Sequence, residues 1–387
     1  VRALLALVAA TAALVSVAGC GSDTGSTTTG DSTTTGASTS TTTATSTSTT
    51  TSQPADEVEL YFTAGEQLHP VPHPGGTGDD DIERTARALI AGPGPDAPQD
   101  AATEIPSDTK LEGVDVNDGT ATVEVSKQFT AGIPADPAER SPGQEEKLDA
   151  RLAQVTYTLA QFDGVDRTRL VSGGVPVGGA KSRNDFAKPE PKAPHAKLGD
   201  PEPKGKASSS VRSLQERLAK LKYLPKGAVD GIDGYRTRQA VTAFQAWEGL
   251  QRDGIAGPQT MAALETAKRP EPKGDGPSKR LEVYRDKGVT LLVKKGRTKR
   301  AVHTSSGAPG YTTPAGRFEV FRKEVNSWSV PYQVWLPWAS YFNAGIAFHA
   351  YPDVPAYPAS HGCVRVPEPE AEHLYAFARI GTAVIVR

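Results

Sequence analysis

Two long stretches of this chain carry almost nothing that can be buried, and they dictate how the rest can fold. Residues 21–55 are nearly all Ser and Thr with scattered Gly, and residues 179–207 are rich in Lys, Pro, Ala and Glu. Neither has the apolar surface to offset the entropy of ordering its backbone. A single core over all 387 residues is therefore excluded. The first stretch reads as a disordered tether, with a coil span on the order of 30 Å. The second reads as an extended linker at about 3.1 Å per residue, long enough to separate its neighbours by some tens of ångströms. Three foldable lengths remain: residues 56–178, 208–267 and 279–387, the last two joined by a short linker at 268–278. With 43 basic against 45 acidic residues, nothing favours a nucleic-acid partner.

Residues 1–20 begin Val1-Arg2 and continue as an apolar run broken only by Thr11 and Ser16. A basic start, a short apolar stretch and small residues at the end describe a secretory signal. The run is short of the ~20 residues a membrane span needs. Its end, Val17-Ala18-Gly19-Cys20, resembles a bacterial lipobox. That resemblance implies lipidation of Cys20, removal of what precedes it, and a lipoprotein held at the membrane on the extracytoplasmic side of a bacterial envelope.

In residues 56–178, Val58–Phe62 reads as a strand, and Ile82, Ala86, Leu89 and Ile90 share one helix face. Asn117-Asp118-Gly119 between two alternating runs is a hairpin signal. Leu148, Leu152, Val155 and Leu159 mark a second helix, and residues 167–172 a last strand. This α+β pattern, with Tyr61-Phe62, Ala88 to Pro93, Thr103-Glu104-Ile105-Pro106 and Ala153-Gln154…Tyr157-Thr158-Leu159, resembles the GerMN domain of spore-germination and envelope lipoproteins. It shows no nucleophile–base pair and reads as a binding or assembly module. Asp79-Asp80-Asp81 suits a helix N-terminus, and His69 and His73 read as loop residues.

Residues 208–267 are small and helical, with stripes at Val211, Leu214, Leu218, Leu221 and at Val241, Phe244, Trp247. An internal echo runs through them: Asp230-Gly231-Ile232-Asp233-Gly234…Thr237 recurs as Asp253-Gly254-Ile255-Ala256-Gly257…Thr260. With Leu214-Gln215 and Ala243-Phe244-Gln245, this resembles the peptidoglycan-binding helical domain of cell-wall enzymes. The Asp-Gly pairs are expected to form loops that cap the helices after them.

The last length reads as mainly β. Residues 281–285 and 289–293 alternate around Asp286-Lys287-Gly288; residues 318–321, 333–336 and 384–386 add strands, and 370–379 a covering helix. Its centre is Ser360-His361-Gly362-Cys363-Val364-Arg365. Cys363 is the one thiol besides Cys20, so no disulfide is expected. A thiol with pKa about 8.5 needs an imidazole to ionise it at neutral pH, and Gly362 lets the backbone turn and aim amides at an oxyanion. For an isolated H-x-C the bland alternative is a buried structural Cys beside a surface His. Context argues for a nucleophile: His349, twelve residues before His361, ends an apolar run, and Ser305-Ser306-Gly307 and Thr313-Pro314-Ala315-Gly316-Arg317-Phe318 precede it.

On these motifs residues 279–387 resemble the L,D-transpeptidase catalytic domain (YkuD family), with a shorter spacer between His349 and Ser360 than in many members, which suggests a reduced lid. The resemblance implies attack by Cys363 on a peptidoglycan tetrapeptide stem, with His349 as base and an acyl-enzyme resolved by a second stem's amine into a 3→3 cross-link. Amides of Gly362 and Cys363, with His361, would hold the oxyanion. A third group orienting His349 would be a backbone carbonyl, since Ala350 follows it. Ser360, Arg365 and Tyr341 are candidates for holding substrate. Arg365 could equally brace its loop, and Tyr341 could equally be core. No cofactor and no metal are called for. Three other readings stay open: an L,D-carboxypeptidase, in which water replaces the amine; a catalytically silent wall-binding lipoprotein; and a zinc hydrolase with His349, His361 and Cys363 as ligands.

Overall fold

The computed structural model describes residues 57–76, 78–189 and 206–387. The signal and lipobox, the tether and most of the Pro-rich linker lie outside the described residues. Among the described residues no helix is long and apolar enough to cross a membrane.

The N-terminal domain runs β1 (Glu57–Ala64), β2 (Gln67–Pro74), α1 (Asp79–Ala91), β3 (Ala101–Ala102), β4 (Leu111–Asn117), β5 (Thr120–Val125), α2 (Pro142–Leu159), β6 (Arg167–Ser172) and β7 (Val175–Pro176). Two sheets, ordered β2-β1-β3 and β4-β5-β6-β7, share one core with the two helices. The expected hairpin is present: Asp118 and Gly119 both have positive φ, 46° and 71°, and Asn117 pairs with Thr120. His69 and His73 are a correction, because they lie in β2 rather than in a loop. The prolines at 70, 72 and 74 argue against a strand in sequence. They are tolerated because β2 is an edge strand and alternate residues direct their missing N–H away from the ladder. A second correction concerns residues 180–187, at the start of the expected linker. They fold onto the domain through a Thr168–Lys181 bridge and a short 3₁₀ turn, Arg183–Phe186, whose Phe186 is buried.

The helical domain contains α3 (Ser209–Leu221), α4 (Tyr235–Glu248) and α5 (Pro258–Thr266). The echo seen in sequence is a repeated polar knot. Gln215 Nε2 donates to Asp230 Oδ1, Ile232 O and Thr237 Oγ1, while its Oε1 accepts from Gly231 N. Gln245 repeats every contact with Asp253, Ile255, Thr260 and Gly254. The aspartates accept from the amide two residues on, so they close the loops, and the N-caps of α4 and α5 are Gly234 and Gly257.

The C-terminal domain is mainly β, with β8 (Lys279–Tyr284), β9 (Val289–Lys294), β10 (Arg297–His303), β11 (Gly316–Glu319), β12 (Arg322–Ser329), β13 (Val334–Asn343), β14 (Ile346–Tyr351), β15 (Val364–Pro367), α6 (Glu368–Phe377) and β16 (Ala383–Val386). Its sheets are ordered β10-β9-β8-β16-β11 and β12-β13-β14-β15. Leu281, Val283, Phe348, Val364 and Val384 fill the space between them.

The three domains pack together. Tyr284, Val289, Leu291 and Ala301 share a core with the helical domain. The linker at 268–278 is pinned to the catalytic domain: Thr298 Oγ1 donates to Pro270 O, and Lys273 N donates to Glu282, itself paired at 2.6 Å with buried Arg280. The N-terminal domain docks through Trp328 Nε1 to Phe186 O at 3.2 Å and Tyr332 OH to Glu104 Oε1 at 3.0 Å.

Candidate active site

Cys363 sits one residue before β15, at the end of the loop that returns from β14. The segments singled out in sequence are what shape that loop. Thr313 Oγ1 donates to Gly362 O at 2.7 Å while accepting from Gly307 N, so a side chain clamps the turn from outside. Ser305 bridges Arg365, and Gly307 bridges Ser360. Gly362 has φ 116°, a conformation that strongly favours glycine. The sulfur accepts from Ala347 N at 3.3 Å and is fully buried.

His349 lies in β14, opposite Arg365 in the parallel register with β15. Its Nδ1 is 2.9 Å from Ala350 O. A carbonyl can only accept, so Nδ1 carries a proton and Nε2 is free to exchange one. The orienting group is thus a backbone carbonyl, as Ala350 implies. A carboxylate oxygen of Glu66, one ring nitrogen of His349 and Cys363 Sγ all lie within 4.8 Å of one another, and all three residues are buried.

Glu66 was not anticipated. It belongs to the N-terminal domain, at the tip of the β1–β2 hairpin, where Gly65 (φ 59°) and Glu66 make a two-residue turn. One oxygen stands 3.2 Å from His349 Nε2 and the other 3.6 Å from an Arg365 nitrogen. The contact to His349 is ionic rather than a directed hydrogen bond, for Nε2 has no hydrogen-bond partner among the described residues. Burial alone would raise the carboxyl's pKa, but His349 and then Arg365 outweigh it and hold Glu66 down to about 2. Burial alone would lower His349; Glu66 and then Cys363 outweigh it and push the imidazole up to about 10. The His349 ring is thus an imidazolium between the Glu66 carboxylate and the Cys363 sulfur.

His361 is turned elsewhere. It stacks on Tyr332 with centroids 4.1 Å apart, meets Tyr311 edge-on, and its Nε2 is 3.6 Å from Glu104 Oε1. Burial lowers its pKa against the opposing pull of Glu66 and Glu104. The zinc reading through His349, His361 and Cys363 is corrected accordingly, since the group within ligand distance is Glu66, His349 and Cys363.

The three remaining substrate candidates surround the same loop. Ser360 is not placed to hold substrate: it is buried, and its Oγ donates to Cys363 O at 2.5 Å and accepts from Gly362 N at 3.1 Å. That bond also occupies the Gly362 amide that was expected to face an oxyanion. Tyr341 is fully buried beneath the thiol, its OH 2.8 Å from Ser327 Oγ, and belongs to the core. Arg365 does hold a carboxylate, that of Glu66, with its guanidinium carbon 4.0 Å over the Tyr351 ring.

Two cavities flank the hairpin tip. One of about 440 Å³ is lined by Glu66, Tyr332, Trp335, His349, His361 and Arg365 among others. One of about 210 Å³ is lined by Gly65, Asp100, Tyr311, Ile346, His361 and Gly362 among others.

Comparison with known proteins gives three separate family matches. Residues 59–178 match the sporulation and spore germination family (Germane), residues 207–264 a putative peptidoglycan binding domain, and residues 278–386 the L,D-transpeptidase catalytic domain (YkuD). The crystal structure of an L,D-transpeptidase from Xylanimonas cellulosilytica is 36% identical, over 51% of this chain and 100% of that one, at a TM-score of 0.42. An L,D-transpeptidase from Stackebrandtia nassauensis is 28% identical over 47% of this chain and 93% of that one, at a TM-score of 0.32. An N-acetylmuramoyl-L-alanine amidase of Bacillus licheniformis is 49% identical over 63 residues, 15% of this chain. The chain spans 18% of the length of the curated relatives it matches.

Proposed function

We propose that this chain, which belongs to the YkuD family through its L,D-transpeptidase catalytic domain, is a cysteine-dependent transpeptidase of peptidoglycan stem peptides. The observation that carries the reading is the buried Cys363–His349 pair, with Nδ1 held by the Ala350 carbonyl and the Cys363 loop clamped by Thr313. That geometry suits a thiolate–imidazolium pair. The Cys363 sulfur attacks the carbonyl that joins an L-centred residue to the terminal D-alanine. The C–N bond breaks, His349 gives the leaving amine its proton, and a thioester remains. A side-chain amine of a second stem then attacks the thioester, His349 takes the amine's proton, and a 3→3 link forms as the sulfur leaves. The helical domain, matched to a putative peptidoglycan binding domain, supports a polymer substrate held close to the catalytic domain. The lipobox-like end at Cys20 supports an anchor on the extracytoplasmic face of the membrane.

The test is mass spectrometry of products from purified tetrapeptide stems. Cross-linked dimer minus one D-alanine is expected from the parent and none from Cys363→Ala. Tripeptide alone identifies an L,D-carboxypeptidase, and no product from the parent or from Glu66→Gln, which frees the buried pair of its carboxylate, overturns both activities.

A further inference from the structure

With the hairpin seated, Cys363 has no exposure and His349 only 2%. What seals them is a contact between glycines of two domains. A Cβ on Gly65 would lie 2.7 Å from Gly345 O, and one on Gly362 would meet the Gly65 Cα at 3.4 Å. A Cβ on Gly345 would lie 1.9 Å from Ala64 O. Backbone thus rests on backbone directly above the thiol. The tip is also tied from the catalytic side: Ser329 Oγ donates to Glu66 O at 2.6 Å, and Gln67 Nε2 to Trp328 O at 3.2 Å.

A residue that merely positioned His349 would leave the sulfur reachable. Glu66 does the reverse. Its negative charge, close to the sulfur, opposes both a thiolate and the oxyanion that forms when a carbonyl is attacked. Its carboxylate also occupies the space between His349 Nε2 and Arg365, two cationic groups that suit a carboxylate of any source. The two cavities lie on either side of the tip and share His361 in their linings, so the hairpin stands across one groove and divides it.

We infer that the Gly65-Glu66 turn is a built-in pseudosubstrate: it fills the carboxylate-binding part of the catalytic groove, and a carboxylate-bearing stem peptide binds only when the β1–β2 hairpin lifts away. This rests on the proposed function for the identity of the displacing ligand, but the cover itself does not depend on it.

The test is the rate of Cys363 alkylation by iodoacetamide in the full chain at about pH 7–8, below the range in which His349 loses its proton, each rate divided by that form's thiolate fraction from its own pH profile. Glu66→Gln removes the ionic ties, and Gly345→Ala sets a methyl against the Ala64 carbonyl. Both are expected to alkylate at least about tenfold faster than the parent, as protection by a local closure requires. Hydrogen exchange on the same samples separates lifting from unfolding: residues 64–67 and 343–347 lose protection while β8 and β9 keep theirs. Should Gly345→Ala unfold the domain, Glu66→Gln decides alone. Rates within about twofold of the parent overturn the inference. Stem-peptide products measured in parallel keep the two claims apart. Faster alkylation with no product from any form leaves the cover standing and removes the activity. Equal product rates and equal alkylation in all three remove the cover and leave the activity.

Discussion

At the scale of single residues, the two histidines beside the thiol are separated by what holds them. His349 is a strand residue whose Nδ1 is fixed and whose Nε2 faces the sulfur; His361 is gripped by Tyr332, Tyr311 and Glu104. His349→Ala is therefore expected to slow alkylation of Cys363 at pH 7 by about tenfold or more, as loss of a thiolate's ionising partner does. His361→Ala is expected to change that rate far less and instead to loosen the Tyr332–Glu104 contact. Alkylation at pH 7 of both variants, each built in Glu66→Gln so that the thiol is reachable, checks this; the reverse order of effects reverses the roles. That Cys363 and His349 meet was legible in sequence because the glycine turn and the motif around the thiol are local. Glu66 was not legible. It lies in another domain, and nothing about a Gly-Glu pair between two strands says which surface its tip will meet.

The elements show the same division between local and tertiary signals. Both helices of the first domain, the 117–119 hairpin and β6 follow from periodicity and turn chemistry, which act within a few residues. β2 was missed because three prolines argue against a strand, and only its place at a sheet edge excuses them. The glutamine knots are an intermediate case: the Asp-Gly echo was visible, but Gln215 and Gln245 as their hubs were not, since each lies on a preceding helix. Gln245→Leu strands Asp253, Ile255, Thr260 and the Gly254 amide around an apolar side chain. Of these the Gly254 amide and the Thr260 hydroxyl are buried, and leaving a buried amide unsatisfied costs about 1–3 kcal/mol. The expected outcome is a lowered unfolding midpoint of the helical domain in denaturant, with Gln215→Leu giving a similar loss through the equivalent knot.

For the whole molecule, low-apolar stretches in sequence located the folded units but said nothing of their docking, which depends on surfaces that complement each other only once folded. The docked arrangement makes stability answer to pH through one buried pair. His349, raised to about 10 in the folded protein against about 6.5 for a free imidazole, contributes stability that is complete below about pH 6.5. It is lost as pH rises through about 10, because the folded state then holds a proton the unfolded state has released. Glu66, depressed to about 2, contributes stability above the ordinary carboxylate range and loses it only as pH falls towards 2. The other charged or titratable groups facing the pair are Cys363, Arg365, His361, Glu146 and Tyr332. His361 is shifted downward, so its cost appears as pH falls below its ordinary value, outside the alkaline window. The melting temperature of the parent is therefore expected to fall between about pH 7 and pH 10, with His349 the main contributor. In Glu66→Gln the imidazole loses the anion that raised it, so the alkaline fall should shrink markedly. Calorimetry across that range checks it: a variant whose melting temperature declines in parallel with the parent's would mean that the Glu66–His349 contact does not govern how the domains stay docked.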